Sequence, residues 1–278
     1  MRNLFSMMLV VLPIVAAYGQ ESSFQLSVGY GIGIGTKKLG EDIYTSGGQT
    51  TRTGVFGSQG GGINASASFR RMFNPHVGLD IAVGYLFGSS IETAERTSSS
   101  TSSLSDRYVS YANSLSLEPT LVLAAEMGNL KPYARIGPSI AFVNMRQEND
   151  VVVNNTGVQQ TSNNVIEFTG GPTLGVRGGA GLMFSATSSI RFFTEVMFTS
   201  MTFYPQKGEV VLYTVNLGDR LSTLSTAERY ANFVTEISSS SPSSSNEPAT
   251  VMQFDVPMSN LQLNVGVYFK LGKNAEGK

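Results

Sequence analysis

The chain predicts an all-β fold: a transmembrane antiparallel up-and-down β-barrel of eight strands, with ten as the alternative count, carrying long extracellular loops and short periplasmic turns. Three observations predict it. Segment after segment alternates with period two between lipid-compatible residues and small or polar ones. Only 14% of the 278 residues are charged, against roughly 25% in an average soluble domain, yet past the N-terminus no apolar run approaches the roughly 20 residues that a membrane-spanning helix needs. The connections between alternating segments are short and long in turn, as in outer-membrane barrels.

The N-terminus reads as an export signal. Arg2 precedes an apolar run over 4–17, and Ala17 and Gly19 place small residues where a signal peptidase reads them. Pro13 interrupts the run, and no amphipathic face exists for a buried helix. Residues 1–19 are therefore expected to be a secretory signal peptide cleaved near Gly19, and 20–278 the barrel domain, which places the mature protein in the bacterial outer membrane.

The first strand, 24–35, sets Phe24, Leu26, Val28, Tyr30, Ile32 and Ile34 against Gln25, Ser27, Gly29, Gly31, Gly33 and Gly35. The second, 63–73, alternates Ile63, Ala65, Ala67 and Phe69 with Asn64, Ser66, Ser68 and Arg70, and the turn Asn74, Pro75, His76 follows it. The third sets Val77, Leu79, Ile81, Val83, Tyr85 and Phe87 against Gly78, Asp80, Ala82, Gly84 and Gly88. Later strands are expected at 108–124, 133–143, 166–184, 190–201 and 259–271. External loops then fall at about 36–62, 89–107, 144–165 and 203–258. The last contains a strand-like run over 209–217, a helix-like run over 227–237 and a nearly all-serine link over 238–245.

With the N-terminus in the periplasm, the aromatic residues of the apolar face fall at two levels. Phe24, Phe73, Phe184, Phe192 and Phe269 lie at the periplasmic end; Tyr85, Phe87, Tyr111, Phe142, Phe168 and Phe198 lie at the outer end. Such girdles are expected where rings meet lipid headgroups. Charge agrees, because a lipid-facing Arg or Lys at mid-depth costs about 2–4 kcal/mol. Arg71 alone departs, next to a turn where a long side chain can snorkel.

The inward faces carry an acid and a base on each short-turn hairpin: Arg70 with Asp80, Glu118 with Arg135, and Arg177 with Glu195. The expectation is that each pair meets across its hairpin and that the pairs neutralise one another inside a narrow, Gly-lined interior, since an unpaired buried charge is strongly destabilising. The competing reading is an ion or proton path or a gate. Eight strands leave an interior just wide enough for side chains.

Other chemistry is poorly represented. The absence of Cys removes disulfides and thiol catalysis, and a net charge of −1 gives no footprint for nucleic acid. The single His, His76, sits in a turn and reads as turn chemistry. The glycines 29, 31, 33 and 35 fail as a nucleotide loop, because position 34 is Ile and no helix follows. Glu41 with Asp42 and Glu148 with Asp150 read as solvated loop charge rather than calcium ligands. No cofactor, metal site or catalytic residue is expected.

The whole mature chain resembles the OmpA/OmpX-type outer-membrane β-barrel superfamily, often labelled porin-like. The last strand carries the resemblance: Asn264, Gly266, Phe269 and Leu271 match the barrel-assembly signal of such proteins, with the departure that 272–278 extend past it. The resemblance implies recognition by the barrel-assembly machinery, and no catalytic residue carries over. The function expected is a non-enzymatic barrel among outer-membrane lipids, its large loops contacting an extracellular ligand or envelope protein. A small-solute channel with a charged constriction is the alternative, and an outer-membrane lipid or peptide hydrolase comes third.

Overall fold

The computed structural model describes residues 21–35, 37–99, 101–237 and 244–271. The expected signal peptide, most of the serine link and the tail after Leu271 lie outside the described residues. Eight strands form the membrane part: β1 Glu21–Gly33, β2 Gly62–Met72, β3 Val77–Gly88, β4 Ser102–Ala124, β5 Leu130–Asn155, β6 Thr173–Ser185, β7 Ile190–Phe203 and β8 Asn260–Leu271. Each bonds antiparallel to its neighbours in this order. The ring closes where β1 meets β8, with Ser22 opposite Leu271 and Gly33 opposite Asn260. Closure removes the unpaired backbone edges that hydrocarbon would not tolerate.

Alternation decides the two faces. Outward residues are exposed although apolar: Ile136 is 59%, Leu263 58% and Leu174 73% accessible, which suits lipid and would be unfavourable in water. At the short-turn end Phe24 lies opposite Phe69 on β2 and Phe269 on β8, and Phe184 lies opposite Phe192. At the other end Tyr85, Phe87, Phe142 and Phe198 are exposed. Arg71 sits beside the first short turn and donates to the Ser22 hydroxyl.

The short connections take their shape from local chemistry. Asn74 Oδ1 accepts from the amides of His76 and Val77, both at 2.8 Å, an Asx turn. The His76 ring Nδ1 lies 3.1 Å from the Ala124 carbonyl oxygen.

The long connections are mostly sheet. The upper parts of β4 and β5 continue past the barrel, and strands Ile91–Ser98 and Val158–Thr169 pair with them. The hairpin Lys38–Ser46 with Gln49–Phe56 turns at Gly47 and Gly48, both at positive φ, where a two-residue hairpin turn needs residues free of a Cβ penalty. It joins Ile91–Ser98 in parallel. On the far side, Lys207–Val215 pairs with Val158–Thr169.

Three expectations are corrected. The strand expected over 166–184 is two elements, Val158–Thr169 and β6, broken at Gly170, Gly171 and Pro172, because Pro lacks an amide for the ladder. Phe168, on the outer side of that break, is 6% exposed and belongs to the interior rather than to the girdle. The helix-like run is a four-residue turn, Thr226–Arg229, started by a reciprocal capping box between Ser225 and Glu228. The chain then becomes strand Tyr230–Val234, which pairs with Lys207–Val215 and Ala249–Met252.

Candidate functional site

The lumen is built in three layers, and β4, β5 and β7 each pass through all three in the same order, while β6 and β8 supply the lower two. From the short-turn end, β4 presents Val122, then Thr120, Glu118, Ser116 and Ser114, then Ala112; β5 presents Tyr133, then Arg135 and Ser139, then Ala141, Val143 and Met145. On β6 the order is Met183 and then Arg177; on β7 it is Phe193, then Glu195 and Thr199, then Met201 and Phe203. The last strand runs Tyr268, Asn264, Gln262, Asn260, and the chain just before it supplies Met258. Val122, Tyr133, Met183, Phe193 and Tyr268 form the lower apolar cluster. The upper one gathers Leu86, Ala112, Ala141, Val143, Met145, Phe168, Met201, Phe203, Val256 and Met258.

The upper layer is completed from outside the barrel. The last connection folds back so that Phe254 and Phe233 pack on Phe168, with ring centroids 5.6 and 5.9 Å away, and Val256 and Met258 enter the cluster beneath them. The Met258 amide donates to the Met201 carbonyl at 2.9 Å.

Between the apolar layers lie all six charged residues expected inside: Arg70, Asp80, Glu118, Arg135, Arg177 and Glu195, none more than 6% exposed. Three arginines balance three carboxylates. Arg70 donates to Asp80 Oδ2 at 2.9 Å, and Arg135 reaches the same oxygen at 3.3 Å while giving its other nitrogen to Glu195 Oε1 at 2.6 Å. Glu195 also accepts from the Tyr133 hydroxyl at 2.8 Å and from Asn264 Nδ2 at 3.0 Å. The Arg70 guanidinium stands 4.9 Å from the Tyr133 ring centroid. A second group joins Arg177 to Glu118 at 2.9 Å and to Gln262 Oε1 at 2.7 Å, with Ser116 donating to Glu118.

Of the three hairpin pairs expected, only Arg70 with Asp80 is made. Glu118 meets Arg177, not Arg135, and Glu195 meets Arg135, not Arg177. Register is the reason. Arg135 stands opposite Val122, two inward positions from Glu118, and Arg177 stands opposite Thr199, two inward positions from Glu195. Each arginine therefore passes over the strand beside it. Arg177 is in register with Gly137 on β5 and reaches β4; Arg135 is in register with Gly179 on β6 and reaches β7. A Cβ at Gly181 would come within 2.7 Å of the Tyr133 ring and 2.8 Å of Glu195 Cβ. Inward glycines on the middle strand were the sequence signal for these crossings.

The assembly-signal residues divide between the faces. Asn264 points inward to Glu195, and a Cβ at Gly266 would meet the Phe193 ring at 2.5 Å. Phe269 and Leu271 face outward. The loop acids are otherwise engaged: Glu41 with Lys38 and Arg52, Asp42 with the Ala94 amide, Glu148 with Arg146, and Asp150 with Arg107 and Asn163. Among the described residues no group of three or more His, Cys, Asp or Glu side chains could hold a metal.

No family model and no curated protein matches the chain. Among solved structures it is similar to the outer membrane protein OprG from Pseudomonas aeruginosa, at 10% identity over 92% of this chain and 98% of that one, with a TM-score of 0.44. It is also similar to Neisserial surface protein A, at 12% identity over 90% and 97%, TM-score 0.38. A third is Ail, the attachment invasion locus protein of Yersinia pestis, at 10% identity over 91% and 99%, TM-score 0.33. The barrel stands independently of these likenesses, on its closed ring of hydrogen-bonded strands.

Proposed function

We propose that the protein is a non-enzymatic outer-membrane barrel whose lumen is plugged, and whose external sheet serves envelope structure or contact with an extracellular ligand or envelope protein. The observation that carries this reading is the repeated apolar, charged, apolar order on the inward faces. A neutral set of six tied charges between two dry layers is costly to hydrate and costly to disrupt. Such a lumen supports the external sheet and the membrane anchor rather than a flow of solute. Outer-membrane lipids would meet the exposed apolar band, and the assembly machinery would read Phe269 and Leu271, which remain outward.

A small-solute or ion channel is the second reading, favoured by buried polar atoms of the middle layer that find no protein partner: Thr120 Oγ1, Ser139 Oγ, Thr199 Oγ1 and the Nε of all three arginines. Planar-bilayer recording separates the two. The plugged barrel shows no conductance steps, and replacing 38–56 by a short turn leaves heat-modifiable gel migration intact while abolishing surface binding. Wild-type conductance whose ion selectivity changes on Arg135→Ala or Arg177→Ala would overturn the plug.

A further inference from the structure

Outside the membrane, a cleft of about 570 Å³ opens between the hairpin strand Lys38–Ser46, the strand Ile91–Ser98 and the returning segment 254–257. Its size lies in the range of about 300–1,000 Å³ typical of ligand clefts. Leu39, Ile43, Ile91 and Phe254 line it with apolar surface.

Its polar groups are unevenly satisfied. Two lysines line the cleft, and both are occupied: Lys37 donates to the Asp255 carboxylate and, at 2.6 Å, to the Asp255 carbonyl, and Lys38 donates to Glu41. These hydrogen bonds hold the Asp255 and Glu41 carboxyls below their ordinary range. Glu95, in register with Ile43 on the neighbouring strand, has no hydrogen bond or ion pair among the described residues. Its charge and that of Asp106 both bear on the Tyr108 hydroxyl, which donates to Asp106 at 3.2 Å. Asp106 accepts a further bond from Asn149 Nδ2 at 2.5 Å but meets no cation among the described residues. Deeper in, Gln59 is 2% exposed; its amide donates to Ser110 Oγ at 2.6 Å and its Oε1 has no partner. A carboxylate and an amide oxygen without donors, beside apolar walls, call for a cation on an apolar stem.

We propose that this cleft binds the side chain of a lysine or arginine in an extracellular peptide, with the cationic head against Glu95 and the methylene stem along Leu39, Ile43 and Ile91. The assignment names a site within the surface-contact reading and rests on it.

The test uses the full chain refolded in detergent micelles and a fluorescein-labelled alanine hexapeptide with one central lysine, read by fluorescence anisotropy. The lysine peptide is expected to bind saturably and at least tenfold more tightly than its norleucine counterpart. Glu95→Gln removes that preference with heat-modifiable migration unchanged, whereas Glu126→Gln, at the short-turn end, keeps it. Equal binding of the two peptides, a preference that survives Glu95→Gln, or competition by free cadaverine as strong as by unlabelled lysine peptide would each overturn the assignment. A protein whose surface binding depends on 38–56 but which shows no lysine preference loses only this site. One that has no surface binding at all loses the broader reading.

Discussion

Arg177 and Glu118 meet at 2.9 Å inside the barrel, and Arg107 and Glu92 meet at 2.8 Å on the external sheet. The chemistry is the same and the distances differ by only 0.1 Å. The inner side chains are 5% and 3% exposed and the outer ones 45% and 46%. Water screens the outer pair and solvates either partner when the other is removed, so it contributes little. Inside, each charge has only a neutral hydrogen-bond partner besides the other, Gln262 for Arg177 and Ser116 for Glu118, and removing one leaves the other without an opposite charge in a medium that solvates it poorly. An ion pair's worth in this molecule follows from where the barrel puts it, not from its length.

The comparison is tested most severely at Asp80, where one carboxylate oxygen holds both Arg70 and Arg135. Asp80→Asn is expected to cost about 3–5 kcal/mol, seen as a lower urea midpoint in micelles. Adding Arg70→Met should recover part of that loss. A smaller effect is expected at the upper apolar layer, where Met258 is 1% exposed: Met258→Ala should cost about 2–4 kcal/mol by the same measurement, while the buried ion pairs persist. The smallest belongs to the surface pair. Arg107→Ala should leave the urea midpoint unchanged and let Glu92 titrate upward to the ordinary carboxylate range, followed by NMR of its side-chain carboxyl. The Arg107 hydrogen bond lowers the Glu92 pKa, so whatever that contact contributes is present at neutral pH and is lost as pH falls through the lowered value. An unfolding midpoint as sensitive to Arg107 as to Asp80 would break the distinction between the two regions.

The barrel strands were legible because each inward or outward choice repeats every second residue and needs no knowledge of the partner strand. From Phe24 to Ile32 the chain states its lipid face alone. Legibility failed where alternation did not carry the choice. Phe168 continues the apolar rhythm of 166–184, yet the break at Gly170 to Pro172 separates it from β6 and turns it to the interior. The run 227–237 reads as helical, but only the capped turn Thr226–Arg229 is, while the strand character of Tyr230–Val234 depends on Lys207–Val215 being alongside. Nothing between 203 and 258 announced that Phe254, Val256 and Met258 would return to close the lumen, because an apolar residue in a loop has no period from which to read its destination.

The interior charges divide along the same line. Sequence by itself determined that Arg70, Asp80, Glu118, Arg135, Arg177 and Glu195 face inward and sum to zero, since facing is a property of one strand and neutrality is a property of the set. Which acid meets which base was decided only by the closed barrel. A two-position offset in register carries each guanidinium past its hairpin neighbour, and a glycine on the intervening strand leaves room for it to cross. Register between strands and the space above a glycine are relations among distant segments, and they exist only once the ring has closed.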